Sequence, residues 1–477
     1  MACCCLSADT KEKPLDLVHA DRLLSSGEDI NNVTNLIGNV HLKHGSTQLW
    51  SSRAVWYKKT DVVVFIDSVR LVDGSRILTG QMLTYYRNLG SATVTGDVVM
   101  MDQREELKIS ASRVDYDKDK DIFIATGGLK ESEQPVFTIY PDDEYSRTRI
   151  TSDTIIYSAG EKIGFANGSV VITRNDMVAT CTQAEFRESG EEIILVGEPQ
   201  VIQGKNLLEG DEIKLRTKDR TLTRMVIDGK AKATYLSQPD TALDQYTKAI
   251  LEGKQLEVFF SDDKPFKSVM RRNATSHYIP AVNDTFVRGV NVASGDSITL
   301  FFDGSQVDRV LILGGARGHY VENKLHDGEV VPETTYYNGQ QIDYKVNESL
   351  IELLWHSRLK YQKMSLDADR ILYNINDEIL IAEGLAEKTD SGEVVVGSPV
   401  LREGGDELYG KRMTYNIRTR KGKVELGETE FEGGFYKGKL LRQVEKDVLY
   451  VNSGYYTTCN LEKPHYYFYS QKMKMIT

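Results

Sequence analysis

The residues with the most chemical capacity in this chain are two histidines that recur at a fixed distance. His277-Tyr278 and His319-Tyr320 stand 42 residues apart, and if their segments stack, the imidazoles fall into line as a metal site would need. No third ligand and no carboxylate cluster accompanies them, so the favoured reading is aromatic rungs closing successive repeats, with no metal. Asp117-Lys-Asp-Lys-Asp121 has the acidity of a cation loop but lacks the twelve-residue ligand pattern and its glycine, which makes it a solvated turn. Asp115, Asp117 and Asp119 belong to the same turn region, where solvation is the expected reason for carboxylates; a glycan-cleaving pair stays open without being indicated. None of G-x-S-x-G, H-E-x-x-H or a phosphate loop occurs. The chain reads as a non-enzyme without a cofactor.

The five cysteines are Cys3, Cys4, Cys5, Cys181 and Cys459, and none forms C-x-x-C, which removes a zinc ribbon or a thioredoxin-like motif. Cys181 sits in an alternating run as a small apolar strand residue. Met1-Ala-Cys-Cys-Cys-Leu-Ser-Ala resembles the tail of a signal peptide whose basic and apolar parts are missing. A truncated start, a cysteine that receives lipid and a plain disordered terminus all fit it.

The elements that must position these residues are repeats. Gly210-Asp-Glu-Ile-Lys-Leu, Gly253-Lys-Gln-Leu-Glu-Val, Gly295-Asp-Ser-Ile-Thr-Leu and Gly339-Gln-Gln-Ile-Asp-Tyr follow one another at steps of 43, 42 and 44 residues. Each copy closes on a tyrosine, Tyr235, Tyr278, Tyr320 and Tyr361. Inside the third copy, Ser297–Phe302 alternates, Asp303-Gly304 turns the chain and Val307–Leu313 returns, a hairpin signal. Upstream, strands ending at Tyr57, Tyr85, Tyr116 and Tyr157 alternate with strands centred on Gly38, Gly96, Gly127 and Gly168. Mid-strand glycine weakens a sheet unless the strand must bend or be approached closely, so these strands predict a curved sheet with room inside it. Gly197-x-Pro199 and Gly210 return 200 residues later as Gly397-x-Pro399 and Gly410, and Ala20-Asp-Arg-Leu is echoed by Ala368-Asp-Arg-Ile-Leu-Tyr373.

The expected organisation is a disordered tail or signal remnant at 1–14, a first β region at 15–205, the four-copy repeat at 206–365, a third β region at 366–460 and a terminal segment at 461–477. Only Thr241-Ala-Leu-Asp-Gln-Tyr-Thr-Lys-Ala-Ile-Leu251 reads as helical, a short excursion in a connection. With 59 basic against 70 acidic residues the formal charge is −11, which argues against a nucleic-acid surface. The longest apolar stretches, such as Val62–Ile66, are far shorter than the roughly 18 residues of a membrane helix.

Leu36-Ile-Gly-Asn-Val-His-Leu, Ser110-Ala-Ser-Arg-Val-Asp-Tyr-Asp117, Phe123-Ile-Ala-Thr-Gly-Gly and Asp367-Ala-Asp-Arg-Ile-Leu-Tyr together resemble the OstA-like family of lipopolysaccharide-transport proteins. The family includes the periplasmic bridge protein LptA and the amino-terminal domain of LptD, and the resemblance covers most of residues 15–460. It implies an all-β, elongated antiparallel jellyroll, a twisted V-shaped sheet stack built from hairpins, in the periplasm or at the outer membrane. Its implied partners are lipopolysaccharide or another acylated lipid, further OstA-like jellyrolls joined end to end, and the outer-membrane translocon. Gly454-Tyr-Tyr-Thr-Thr-Cys459-Asn and Pro464-His-Tyr-Tyr467 look like the family's lead-in to a barrel that is absent here. The chain is then a barrel-less relative or a fragment of a longer reading frame. By the same resemblance Cys459 pairs with a cysteine of the missing region, a free thiol being the alternative.

Strand parity supplies the candidate lipid groove: Leu36, Val40, Leu42, Trp50, Trp56, Leu78, Met82, Val94, Val98, Met100, Leu107 and Ile109, each also a plausible core residue. Acyl chains buried along such a face gain about 0.8 kcal/mol per methylene. A structural or adhesive β-solenoid with a dry interior is the competing reading, and hairpin turns favour antiparallel pairing over its parallel coils.

Overall fold

Alternating apolar and polar side chains resolve onto the two faces of a strand, and the chain realises this almost throughout. The structure, a computed structural model, describes residues 15–26, 33–128, 133–187, 190–237, 247–279, 289–304, 306–326, 329–389, 392–403, 405–419, 421–431, 433–445, 448–461 and 463–476. The expected 1–14 tail lies outside them. Among the described residues no α-helix occurs, and helical geometry is limited to short turns such as Arg87–Leu89. The expected helix at 241–251 is corrected where it is described: Thr247–Leu251 opens the strand Thr247–Ser261, with Thr247 paired to Ser237. A long neighbouring strand offers unpaired backbone groups there, and tertiary pairing overrides a weak local helix propensity.

The strands are antiparallel and mostly follow chain order, so successive hairpins build a meander. Two units result, Met1–Gly204 with Asp211–Leu222, and Lys205–Gly210 with Thr223–Thr477.

In the first unit each long strand bends midway. Val33–His44 bends at Gly38 and Asn39, with φ of 78° and 45°. Ser91–Asp102 and Ile163–Arg174 bend at Gly96-Asp97 and Gly168-Ser169 in the same way, and Val62–Asp73 at Asp67-Ser68. At each bend the pairing register shifts, the mark of a β-bulge. These bulges line up as one crease, and two half-sheets lean towards each other from it. At Gly38 a Cβ would lie 2.1 Å from Asp21 Oδ2, while Asp21 N–H donates to Gly38 O at 3.0 Å. Asp369 of the echoed Ala-Asp-Arg motif donates in the same way to Gly397 O at 2.9 Å. The motif aspartate therefore folds against the corner glycine of a neighbouring strand.

The crease also sets which parity faces inward. A strand carrying the pair of positive-φ residues keeps its inward parity across the bulge, as in Leu36, Val40 and Leu42. Its hairpin partner is one residue shorter there and flips, from Leu78 to Leu83 or from Leu49 to Ala54.

In the second unit the strands lengthen to as many as 21 residues, in Gln306–His326. The expected hairpin is present, with Asp303 paired to Gln306 across the turn. The repeat tyrosines form one cross-strand row, Tyr235, Ala249, Tyr278, Asn291, Tyr320, Thr335 and Tyr361. Tyrosine thus occupies every second strand. Tyr235 is buried, with its hydroxyl 2.8 Å from Ser268 Oγ and its ring 5.3 Å from Phe302.

Candidate functional site

Inward side chains of the first unit form two facing apolar rows. One runs Leu42, Leu49, Leu71, Leu78, Met100, Ile109, Phe137, Ile150, Ile172, Ala179 and Val201 in unbroken register. The other, beyond the crease, runs Leu36, Ala54, Phe65, Leu83, Val94, Val114, Ala125, Ile155, Ala166, Ala184, Leu195 and Ile213. No member of either row is more than 9% exposed. The rows meet across the interior where Phe137 lies 4.5 Å from Phe186 and 5.2 Å from Tyr157. With five residues from crease to rim at about 3.3 Å each, the apolar face is about 16 Å deep.

Nine groove candidates, Leu36, Val40, Leu42, Leu78, Val94, Val98, Met100, Leu107 and Ile109, point into this interior and are 0–3% exposed. Trp56 is inward and half-buried near a rim, with the guanidinium of Arg87 5.6 Å and the ammonium of Lys58 5.7 Å from its ring centre. Two placements are corrected. Trp50 lies on the outer face, stacked on His41 at 4.7 Å with Arg70 at 5.3 Å from its ring. Met82 is 43% exposed and pairs with Ile66 and Thr95 on the outer face. Both errors have one cause, inward parity carried unchanged through a strand that flips at the crease.

Above the apolar rows the parity of one rim becomes polar. Asp73, Arg76, Asp102, Thr148 and Arg174 occupy the same cross-strand row as Leu107, Ile139 and Met177. Sequence reading missed this belt because charged residues at strand ends look like solvated turns. The available signal was parity, since Arg76-x-Leu78, Met100-x-Asp102 and Ile172-x-Arg174 put a polar end on an apolar face. Asp102 is buried and accepts from Ser75 Oγ at 2.9 Å, Arg76 Nε at 3.0 Å and the N–H groups of Arg104 and Glu105 at 3.0 and 3.3 Å. Burial works upward on its carboxyl, but these donors outweigh it and hold the group below the usual carboxylate range.

The turns form two rims, one at 58–61, 87–90, 118–121, 159–162 and 219–220, the other at 45–46, 74–75, 103–106, 140–147 and 175–176. Backbone hydrogen bonds run along each rim, as from Ala159 N–H to Asp121 O or from Gln103 N–H to Ser75 O. Between the rims stand side-chain pairs. Arg76 Nη1 meets Asp121 Oδ1 at 2.5 Å, Lys162 Nζ meets Glu105 Oε2 at 2.7 Å, and Arg220 Nη2 meets Glu106 Oε2 at 2.6 Å. Pairs this open to water contribute about 0.2–1 kcal/mol each. Just beneath them lies Tyr157, 1% exposed, whose hydroxyl has no hydrogen-bond partner among the described residues.

The remaining sequence candidates do not assemble a second centre. His277 and His319 share a row but are separated by Val292, and among the described residues no three His, Cys, Asp or Glu side chains cluster to hold a metal. Asp117 is tied to Lys120 at 2.8 Å within its own turn. A recess of about 570 Å³ bordered by Asp142, Asp143, Glu144, Tyr145 and Arg220 is polar and open, distinct from the apolar interior. Among the described residues Cys459 has no disulfide partner, and its Sγ lies 3.6 Å from His465 Nδ1.

Among the described residues no helix is long and apolar enough to cross a membrane. No curated protein sequence matches the chain. One solved structure, LptH, the LptA-homologous periplasmic component of the lipopolysaccharide transport device of Pseudomonas aeruginosa, is similar at 16% identity over 28% of this chain and 81% of that chain, with a TM-score of 0.21. Two family models match, that of OstA-like protein over residues 12–149 and that of the LptA/(LptD N-terminal domain) lipopolysaccharide-transport protein over residues 86–221. The two matches together span residues 12–221, the stretch where the creased sheet and its apolar interior lie, and there the chain is similar to the OstA-like proteins of lipopolysaccharide transport.

Proposed function

We propose that the first unit shelters the acyl chains of lipopolysaccharide, or of a closely similar lipid, between its two half-sheets on the way to the outer membrane. The observation that carries this is the pair of facing apolar rows, continuous over successive strands and bordered by a polar belt. Such a profile matches an amphiphile, with tails inside and head at the mouth. Each methylene moved from water to that interior gains about 0.8 kcal/mol. The setting is the envelope, and the partners are other OstA-like jellyrolls and the outer-membrane translocon. Leu15–His19 and Arg22–Ser26 support edge pairing, since Leu17, Val18, Leu23 and Leu24 are exposed along them.

The same burial also fits a structural β array with a dry interior, and one experiment separates the two. A photoreactive amino acid placed at Val94 or Met100 should crosslink lipopolysaccharide, and one at Met82 or Trp50, on the outer face, should not. Equal crosslinking at all four positions, or none at the inner two, would overturn the transport reading.

A further inference from the structure

The geometry points to a lateral port. Acyl chains of an amphiphile enter the first unit through its mouth, between the two rims, and the rim-to-rim ion pairs hold that mouth shut. This rests on the lipid-sheltering reading above and adds where the lipid enters and what controls entry.

Strands run hydrogen-bonded from rim to rim through the crease, and backbone bonds tie the turns together along each rim, among them Lys118 N–H to Gly90 O and Tyr140 N–H to Glu106 O. Parting the rims breaks neither set. At the rims it breaks Arg76 with Asp121, Lys162 with Glu105, Arg220 with Glu106 and Asp143, the bond from the Arg174 guanidinium to Arg220 O and the His44–Tyr85 hydrogen bond, and deeper in it separates Phe137 from Phe186 and Tyr157. The paired residues lie 45, 57 and 114 positions apart in the chain, so no local turn geometry explains them. At the crease, the positive-φ pairs supply the bend about which the half-sheets would swing. Just inside the mouth, beneath the polar belt, the Tyr157 hydroxyl has no partner among the described residues and stands ready to donate to the ester or amide carbonyl that links acyl chain to head.

The protein carries its own reporter of opening. Cys181 is buried in the interior next to the crease, opposite Val170, and burial pushes its thiol up to about 11. Its alkylation by N-ethylmaleimide, read by peptide mass spectrometry on the full chain, measures access without any lipid. The double variant Arg76→Gln/Lys162→Gln should raise the Cys181 rate by about 1.4- to fivefold for each pair lost, and 1 M salt on the unmodified protein should raise it likewise. The charge-exchanged variant Glu105→Lys/Lys162→Glu should return it to the starting value, with Cys459 labelling constant throughout. A Cys181 rate indifferent to salt and to the double variant, at unchanged circular dichroism, would overturn the gate.

Stopped-flow uptake of a dansylated long-chain fatty acid then tests the port. Its association rate should rise in step with Cys181 access. An unchanged association rate in a variant whose Cys181 has become accessible would mean that lipid enters elsewhere and would overturn the port alone. Absence of uptake in every form would instead remove the lipid-sheltering reading on which the port depends, while the Cys181 result would still decide the gate.

Discussion

The parity flip at the crease makes neighbouring residues energetically unlike, and Leu83→Ala against Met82→Ala tests it directly. Leu83 is 0% exposed and shares a row with Phe65 and Val94, whereas Met82, one residue earlier, is 43% exposed. Replacing Leu83 by alanine removes three buried carbons, about 2.4 kcal/mol at about 0.8 kcal/mol each. The cavity left behind brings the expected loss to about 3 kcal/mol. Met82→Ala removes a similar number of atoms, but water already covers nearly half of them and fills the space afterwards, so its cost should be below about 1 kcal/mol. Urea unfolding followed by tryptophan fluorescence reads both as midpoint shifts at constant slope. Leu78→Ala, before the bulge on the same strand, is the control and should behave like Leu83→Ala, since Leu78 is 3% exposed. Equal losses for Met82 and Leu83, or a larger one for Met82, would refute the flip and with it the assignment of inner and outer faces.

Acid stability supplies a second test. The Asp102 carboxyl is held below its ordinary 3.8, so its contribution is fully present above that value and fades as pH falls through the folded-state value. Asp102→Asn should lower stability at pH 7 by about 1–3 kcal/mol and flatten the dependence below pH 3.8; an unaltered acid limb on circular dichroism would contradict this. In variants reduced to one tryptophan, an acylated ligand should shield Trp56 from acrylamide and leave Trp50 unchanged, because only Trp56 faces inward. The Cys459 thiol, its acidity raised by backbone hydrogen bonds at His465 and Leu461, should alkylate at pH 8 well ahead of Cys181, whose burial opposes ionisation. Comparable rates by mass spectrometry would show Cys181 to be accessible in the resting state.

Much of this protein was legible in its residues because strand periodicity is local. Alternation identified the strands, glycine marked the bends at Gly38, Gly96 and Gly168 though not at Gly127, which follows the strand Ile122–Thr126, and the tyrosine steps anticipated a row that the register does form. Parity also put nine of the twelve groove candidates fully inside. Other features depended on partners far along the chain. Whether a strand keeps or flips its inward face is set by which member of a hairpin carries the extra residue at the crease, and that displaced Trp50 and Met82. Thr247–Leu251 became strand because a neighbour offered a backbone edge. Most of all, charges at strand ends read as solvated turns until the fold set one rim opposite the other. Lys162 and Glu105, 57 residues apart, face each other only once the sheet has bent at its crease.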